Sequence, residues 1–200
     1  AIEAAEAGAD VMLFDDQPAL GGALNYARFD SAGERAGRAR DELVGAAESH
    51  AGLKIYTGAV AEAIYDDNWL AVVHGNRLYK VRAHKVVLAS GALEQPMVFR
   101  NNDLPGVIMG SAAQRLIRQY GIRPGKRAVV VAANGDGYGV ALDLLDAGVE
   151  VACVVDPRSD APDSKRHDAV IGHGVPVIRE TTVAEVLAGP GNKGVVGARI

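Results

Sequence analysis

Two short apolar runs in the chain each end at an aspartate, and the segments around them alternate between strand-like and helix-like patterns. The first run covers residues 11–14 and ends at Asp15, and the second covers residues 149–155 and ends at Asp156. Apolar runs of this length, bounded by polar turn residues, are typical of strands buried in a parallel sheet. Helical patterns occupy residues 1–10, 35–50, 111–120 and 138–147. The chain is therefore predicted to be an α/β protein.

The middle of the chain carries shorter apolar segments separated by turn residues. Strands are expected at residues 53–57, 60–65, 69–74, 77–81, 128–133 and 195–200. Because short strands joined by tight turns pair with their neighbours, residues 60–81 are expected to form a small antiparallel meander. The apolar run that follows ends in Ser90, Gly91 and Ala92. We expect a buried strand there, with bare backbone at its carboxyl end.

Two groups of residues are candidates for one ligand site. Ligands of open α/β sheets bind at the carboxyl ends of the strands, where a carboxylate binds ribose hydroxyls and glycines let backbone amides face a pyrophosphate. Aspartate and glycine also end strands and form turns without any ligand, so each group alone is weak evidence. The candidate site residues are Asp15, with Asp16 as its alternative, Gln17, Gly21, Gly22, Ser90, Gly91 and Ala92.

A second strand–turn–helix–strand–acid pattern ends at Asp156, but its glycine turn departs from G-x-G-x-x-G. The three glycine positions are occupied by Ala132, Asn134 and Gly137, so only the third glycine is present. The middle position is where backbone comes closest to phosphate, and Asp136 adds a negative charge beside it. We expect a displaced cofactor or an empty fold here, in preference to normal NAD(P) binding.

Composition and charge exclude several functional classes. The 200 residues are 48% hydrophobic with a formal net charge of −4, and Lys and Arg form no concentrated cluster. Nucleic acid is therefore not expected as the main partner. No apolar segment is long enough to span a bilayer and no signal sequence is visible, so we expect no membrane association and a cytoplasmic location.

Candidate catalytic and metal-binding residues are not evident. Cys153 is the single cysteine, which rules out a redox-active cysteine pair in this chain, and its apolar neighbours favour a buried thiol. The five histidines have no metal-ligand spacing, so no metal site is predicted. Tyr65 and Trp69 are expected to pack in the core of the meander. No catalytic acid, base or nucleophile is assigned.

The chain is expected to be a fragment, truncated at both ends, of a protein with two dinucleotide-binding domains. Residues 1–10 resemble the end of a helix that would follow a strand and a glycine-rich turn, and neither precedes them. Gly121 and the connector at residues 123–126 mark a boundary. The first domain is predicted at residues 1–122, without its first strand and glycine-rich turn, and an incomplete second domain at residues 123–200.

Three segments carry a family resemblance that covers nearly the whole chain. Residues 86–96, 99–107 and 132–134 resemble the alpha subunit of heterotetrameric sarcosine oxidase and its amine, opine and cyanide-forming relatives. More broadly, the chain is similar to two-domain FAD/NAD(P)-binding flavoproteins of glutathione-reductase-like arrangement, in which the second Rossmann-like domain is inserted into the first. The most specific part is residues 101–107, where Asn101, Asn102 and Asp103 fit a functional role and a surface turn equally well.

The resemblance implies a role in the oxidation of CH–NH donors such as sarcosine. It implies NAD in the first domain, with Asp15 at the adenosine ribose, Gly21 and Gly22 beside the pyrophosphate, and Ser90, Gly91 and Ala92 along the same groove. It also implies a beta subunit whose FAD oxidises the amine, an FMN at the alpha–beta interface, a folate site in alpha and smaller subunits. The fragment alone is expected to be inactive.

Two other functions fit the residues. One is a noncatalytic scaffold, in which tightly bound NAD stabilises the fold without turning over. The other is a self-contained FAD-dependent NAD(P)H oxidoreductase, which the irregular second glycine turn disfavours. Sarcosine, opines and glycine remain open as substrates.

Overall fold

The computed structural model describes residues 1–29, 33–159 and 164–200. Its backbone forms two compact units, one of residues 1–25 and 36–92 and the other of residues 26–35 and 93–200. Each unit contains a parallel sheet, and the first also contains a three-stranded antiparallel meander. The predicted α/β class is confirmed. The division follows compactness, and the domain boundary between residues 122 and 123 stays a prediction.

The first unit contains a strand–helix–strand arrangement that is preceded by a short helix. Helix α1 (Ile2–Glu6) is followed by Gly8, whose φ of +86° turns the chain into strand β1 (Val11–Asp15). Helix α2 (Ala36–Ser49) then leads to strand β2 (Leu53–Thr57), which pairs with β1 in parallel. The register sets Asp15 beside Thr57, so both strands end at the same edge.

The meander follows β2 and confirms the three predicted strands. It consists of β3 (Ala59–Tyr65), β4 (Trp69–His74) and β5 (Arg77–Arg82), paired in that order. Leu70 and Val72 are buried on one face, and side chains alternate along a strand, so Trp69 falls on the opposite face. Trp69 and its cross-strand neighbour Tyr65 are exposed, and the prediction that they pack in the core is wrong.

The apolar run after the meander does not form the predicted buried strand. Residues 85–99 have no regular secondary structure, and Val87 is 87% exposed. β-branched residues favour extended backbone, but a strand also requires a neighbour that offers its edge. Among the described residues no strand pairs with this run. Val86 alone packs against the buried residues of the meander.

The second unit is built on a parallel sheet of three strands in sequence order. Strands β6 (Arg127–Val131), β7 (Glu150–Asp156) and β8 (Val177–Arg179) pair side by side. The helices are α3 (Gly110–Arg118), α4 (Gly135–Asp146) and α5 (Ser164–Gly172). Their apolar sides meet the sheet in one core, which includes Val130, Leu142 and Val154. No helix in the described residues is both long and apolar enough to cross a bilayer.

A buried carboxylate joins three segments of the second unit. Asp143 on α4 accepts hydrogen bonds from Arg28 at 2.9 Å, Gln114 at 2.8 Å and Arg118 at 2.5 Å. Arg28 also pairs with Asp146. Because each segment contributes a donor to one buried acceptor, residues 26–29 and α3 are held against α4.

The segment at residues 101–107 is a structural turn against a hairpin of strands β9 (Glu185–Ala188) and β10 (Val195–Arg199). Asn101 has a φ of +65° and donates its amide to the carbonyl of Val186 at 2.9 Å. Asn102 donates to the carbonyl of Met97, also at 2.9 Å. Both amides are thus used within the fold, which favours the turn over the functional interpretation.

Candidate functional site

Asp15 ends β1, and its side chain is partly exposed. Its Oδ1 accepts the backbone N–H of Gln17 at 2.9 Å, which fixes the side chain in an Asx turn. Among the described residues this is the one hydrogen bond that the carboxylate receives. The carbonyl of Gln17 in turn accepts the N–H of Gly58 at 2.8 Å, which ties the loop to the end of β2. Asp15 is therefore oriented and still has free acceptor positions.

Gly21 and Gly22 are adjacent but have different structural requirements. Gly21 has a φ of +116°, and a Cβ there would lie 2.8 Å from Oδ1 of Asn25 and 3.0 Å from Cγ of Arg40. Packing alone accounts for this glycine. Gly22 has a φ of +49°, and a Cβ there would meet no atom within 4 Å. The space beside Gly22 is open, as a backbone surface that receives a ligand requires.

The remaining predicted site residues fall in two places. Asp16 and Gln17 lie with Asp15 on the exposed loop after β1, whereas Ser90, Gly91 and Ala92 lie in the extended segment after the meander. Gly91 has a φ of +74° with open space around its Cβ position. No hydrogen bond or ion pair joins the two groups among the described residues. Their membership of a single site stays a prediction.

A surface cavity of about 430 Å³ lies between the Gly21 loop and α2. Its lining is Ala19, Leu20, Asn25, Arg40, Asp41, Val44, Gly45 and Glu48. Sequence reasoning missed this cavity. The signal was Gly45, since a glycine inside a helix leaves a gap on that face.

The second strand-end aspartate has no free acceptor position. Oδ1 of Asp156 accepts the N–H of Arg158 at 3.0 Å and its Nε at 2.9 Å, and Oδ2 accepts Nη2 of Arg158 at 2.7 Å. The hydroxyl of Tyr138 donates to Oδ2 at 2.6 Å. Hydrogen bonds from Arg158 and then Tyr138 outweigh burial and lower the pKa of Asp156 well below its usual value. Burial and the bond to Asp156 raise the pKa of Tyr138 to about 12.

Side-chain hydrogen bonds stabilise the irregular glycine turn of the second unit. Oδ1 of Asn134 accepts the N–H of Asp136 at 3.0 Å and caps α4. Oδ1 of Asp136 accepts Nη1 of Arg166 at 3.0 Å. Gly137 is required, because a Cβ there would lie 2.6 Å from Cα of Ala132. Close packing of helix and strand, the role of the third glycine, is therefore retained.

Metal or thiol chemistry would depend on the placement of the metal-ligating side chains and of the single thiol. No group of three or more His, Cys, Asp or Glu side chains in that part of the chain is placed to hold a metal ion. Cys153 is half-buried on β7, and burial raises the pKa of its thiol. A protonated thiol is a poor nucleophile, which agrees with a structural role.

Two sarcosine oxidase alpha subunits are among the proteins to which the chain is similar. The subunit of Rhizobium meliloti (strain 1021) is 34% identical over 179 residues, which cover 80% of this chain and 18% of that protein. The subunit of Corynebacterium sp. (strain P-1) is 33% identical over 205 residues, covering 93% and 21%. The chain thus spans about a fifth of the length of these relatives. No family model matches the chain.

The fold is similar to that of T. acidophilum thioredoxin reductase. The two structures superpose with a TM-score of 0.70 over 99% of this chain and 64% of that chain, at 16% sequence identity. At this identity the likeness shows the fold alone, a mixed α/β fold like that of thioredoxin reductase. Over the region that it spans, the chain is thus similar in sequence to sarcosine oxidase alpha subunits and similar in fold to thioredoxin reductase.

Proposed function

We propose that this chain is the dinucleotide-binding part of a sarcosine oxidase alpha-like subunit, with NAD held in the first unit. In this proposal the amine, with sarcosine as the first candidate, is oxidised on FAD in a beta-type partner subunit. FMN and smaller subunits complete the cytoplasmic assembly. The chain itself supplies binding and orientation, and none of its side chains acts as acid, base or nucleophile.

The open carboxylate of Asp15 carries the proposal. It lies at the carboxyl end of a parallel strand, is fixed by its Asx turn with Gln17, and has acceptor positions that no described residue occupies. Ligands of open α/β sheets bind at this edge, and a strand-end carboxylate there binds ribose hydroxyls.

The other site residues fit a dinucleotide in distinct ways. Asp15 would accept hydrogen bonds from the adenosine ribose, and the open backbone at Gly22 would face the pyrophosphate. Gly91, with Ser90 and Ala92, would line the groove from the second segment. A bound nicotinamide or flavin dinucleotide supplies two-electron transfer, and this chain's residues fix where its adenosine half lies.

The alternatives differ from the proposal in measurable ways. A noncatalytic NAD scaffold uses the same Asp15 site. NAD that is never reduced when amine is added to the intact complex would support the scaffold, and reduction of that NAD at a competent rate would rule it out. A self-contained FAD-dependent NAD(P)H oxidoreductase requires a second working dinucleotide site. The saturated carboxylate of Asp156 argues against that reading.

Cofactor identification tests the proposal directly. The full-length protein is purified with its copurifying subunits and denatured, and the released cofactors are identified by mass spectrometry. NAD together with FAD and FMN is the expected result. FAD alone, from a single-chain preparation, would contradict the proposal and favour the self-contained flavoprotein.

A matched pair of aspartate variants assigns the site. Asp15→Ala is expected to weaken dinucleotide binding by about 1.5–3 kcal/mol, the usual range for hydrogen bonds to a charged group. Asp10, at the amino end of the same strand, pairs with Lys54 across 3.2 Å and serves as the control. Asp10→Ala is expected to leave cofactor content unchanged. Equal cofactor content in both variants would remove Asp15 from the site.

A further inference from the structure

The two strand-end aspartates share the same local geometry. Oδ1 of Asp15 accepts the N–H of Gln17 at 2.9 Å, and Oδ1 of Asp156 accepts the N–H of Arg158 at 3.0 Å. Each aspartate ends a strand of a parallel sheet and begins an Asx turn. The two units therefore repeat the arrangement from which a carboxylate binds a ribose, and the differences around it are informative.

The two carboxylates differ in how many donors they already accept. Asp156 receives three hydrogen bonds from Arg158 and one from Tyr138, and it is 1% exposed. A carboxylate has about four acceptor positions, so these donors fill them. A ribose hydroxyl that approached Asp156 would have to displace a charged or buried partner, whereas at Asp15 it would not.

Tyr138 is fixed in place by the core of the second unit. Its side chain is fully buried, and its ring meets the ring of His167 edge to face with centroids 5.7 Å apart. Withdrawing the ring would open a cavity in the core, which is costly. The core therefore holds the Tyr138 hydroxyl in place as a hydrogen-bond donor to Asp156.

The start of α4 is occupied in the same manner. The Asn134 side chain caps the helix by accepting the N–H of Asp136, and the Asp136 carboxylate stands in its first turn, paired with Arg166. A pyrophosphate bound there would need bare amides and would meet this negative charge. The filled acceptor positions of Asp156 and the capped start of α4 at Asn134 involve different residues. Both disfavour binding of a dinucleotide to the second unit.

We propose that Tyr138 and Arg158 fill the hydrogen-bond acceptor positions of Asp156, the strand-end carboxylate of the second unit, in place of a ligand. The second unit consequently takes no adenosine ribose, which leaves Asp15 as the strand-end carboxylate available to the proposed dinucleotide. This inference rests on the proposed function and deepens it, because it assigns the dinucleotide to one of two units that share a local geometry.

Variants at the two aspartates test the inference in the full-length protein with its copurifying subunits. Equilibrium dialysis with NAD and NADPH as probes gives the number and affinity of bound dinucleotides. Asp156→Asn and Tyr138→Phe are expected to bind the wild-type number, with dissociation constants within about twofold. Asp15→Asn is expected to weaken binding about tenfold or more. Circular dichroism verifies that each variant is folded.

Each result distinguishes the inference from the proposed function. Loss of a bound dinucleotide in folded Asp156→Asn would overturn the inference, as would a second bound equivalent in Asn134→Gly, which restores the middle glycine. If Asp156→Asn does not fold, Tyr138→Phe keeps the ring and removes only the hydroxyl, and loss of dinucleotide there has the same meaning. Unchanged binding in Asp15→Asn would contradict the proposed site at Asp15 and leave the inference about Asp156 supported by its own variants.

Discussion

The hydroxyl of Tyr138 donates a 2.6 Å hydrogen bond to Oδ2 of Asp156, and both side chains are almost completely buried. Tyr138 lies in the first turns of α4 and Asp156 is the last residue of β7. The bond therefore connects helix to sheet at the edge where a dinucleotide-binding fold receives its ligand. In the second unit, the side chains at this edge of the sheet are used to hold α4 against the sheet.

Removing the Tyr138 hydroxyl is expected to lower stability. Tyr138→Phe leaves the ring in the core but takes one donor from a buried carboxylate, which costs about 1–3 kcal/mol. Urea denaturation followed by circular dichroism measures the change. The control is Tyr79→Phe, because Tyr79 is exposed on the meander and its loss of a hydroxyl is expected to have no measurable effect. Equal stabilities of the two variants would contradict the prediction.

The same pair predicts a loss of stability at alkaline pH. Folding raises the pKa of Tyr138 from its ordinary value of 10.0 to about 12. Because the raised pKa belongs to the folded state, its contribution is complete below pH 10 and is lost as the pH rises from 10 to about 12. The difference in unfolding free energy between wild type and Tyr138→Phe is therefore expected to shrink over that range. A difference independent of pH would count against the bond.

Sequence pattern predicts those elements whose signal is local. The alternation in residues 59–82 and the apolar runs ending at Asp15 and Asp156 specify their strands, because burial on one or both faces imposes that pattern. The run at residues 86–92 has the same composition, but within the described part of the chain no strand pairs with it. Composition alone does not reveal whether a partner strand is present. The missing glycine at Asn134 signals an altered second site. The donors that fill the acceptor positions of Asp156 are Tyr138 on α4 and Arg158 in the loop after β7. The sequence pattern alone does not indicate that these side chains meet Asp156.

The buried cluster around Asp143 is expected to contribute substantially to stability. Arg28→Ala removes one of two arginines from a carboxylate that is 1% exposed, and breaking such a buried pair costs about 3–5 kcal/mol. Arg118 and Gln114 still donate to Asp143, which places the expected loss at the lower end. The unfolding free energy from chemical denaturation gives the measurement.

An exposed ion pair provides the control for Arg28. Arg38 and Glu42 pair at i and i+4 on α2, and both are largely exposed. Arg38→Ala is expected to change the unfolding free energy by less than about 0.5 kcal/mol, because solvent screens such pairs. A loss in Arg28→Ala no larger than that in Arg38→Ala would show that the Asp143 cluster does not stabilise the unit.

Alanine substitutions at two helical glycines are expected to change stability in opposite directions. At Gly137 a Cβ would lie 2.6 Å from Cα of Ala132, so Gly137→Ala is expected to destabilise the protein by about 1–3 kcal/mol. At Gly45, inside α2, a Cβ would meet no atom within 4 Å, and Gly45→Ala is expected to stabilise by about 0.5–1 kcal/mol. Thermal or chemical unfolding distinguishes the two signs. Destabilisation of similar size in both variants would contradict the packing at Gly137.

At Gly22 a substitution is expected to affect both the stability of the fold and the proposed binding of a dinucleotide. Its φ of +49° makes Gly22→Ala costly by about 1–2 kcal/mol, and the added methyl would enter open space. If that space receives a pyrophosphate, the methyl keeps the ligand from the backbone, and cofactor content falls further than stability alone explains. Gly8→Ala is the control, since Gly8 also has a positive φ and open surroundings but lies before β1, at the opposite end from Asp15. Equal cofactor content in the two variants, measured by mass spectrometry after equal purification, would place the dinucleotide away from Gly22.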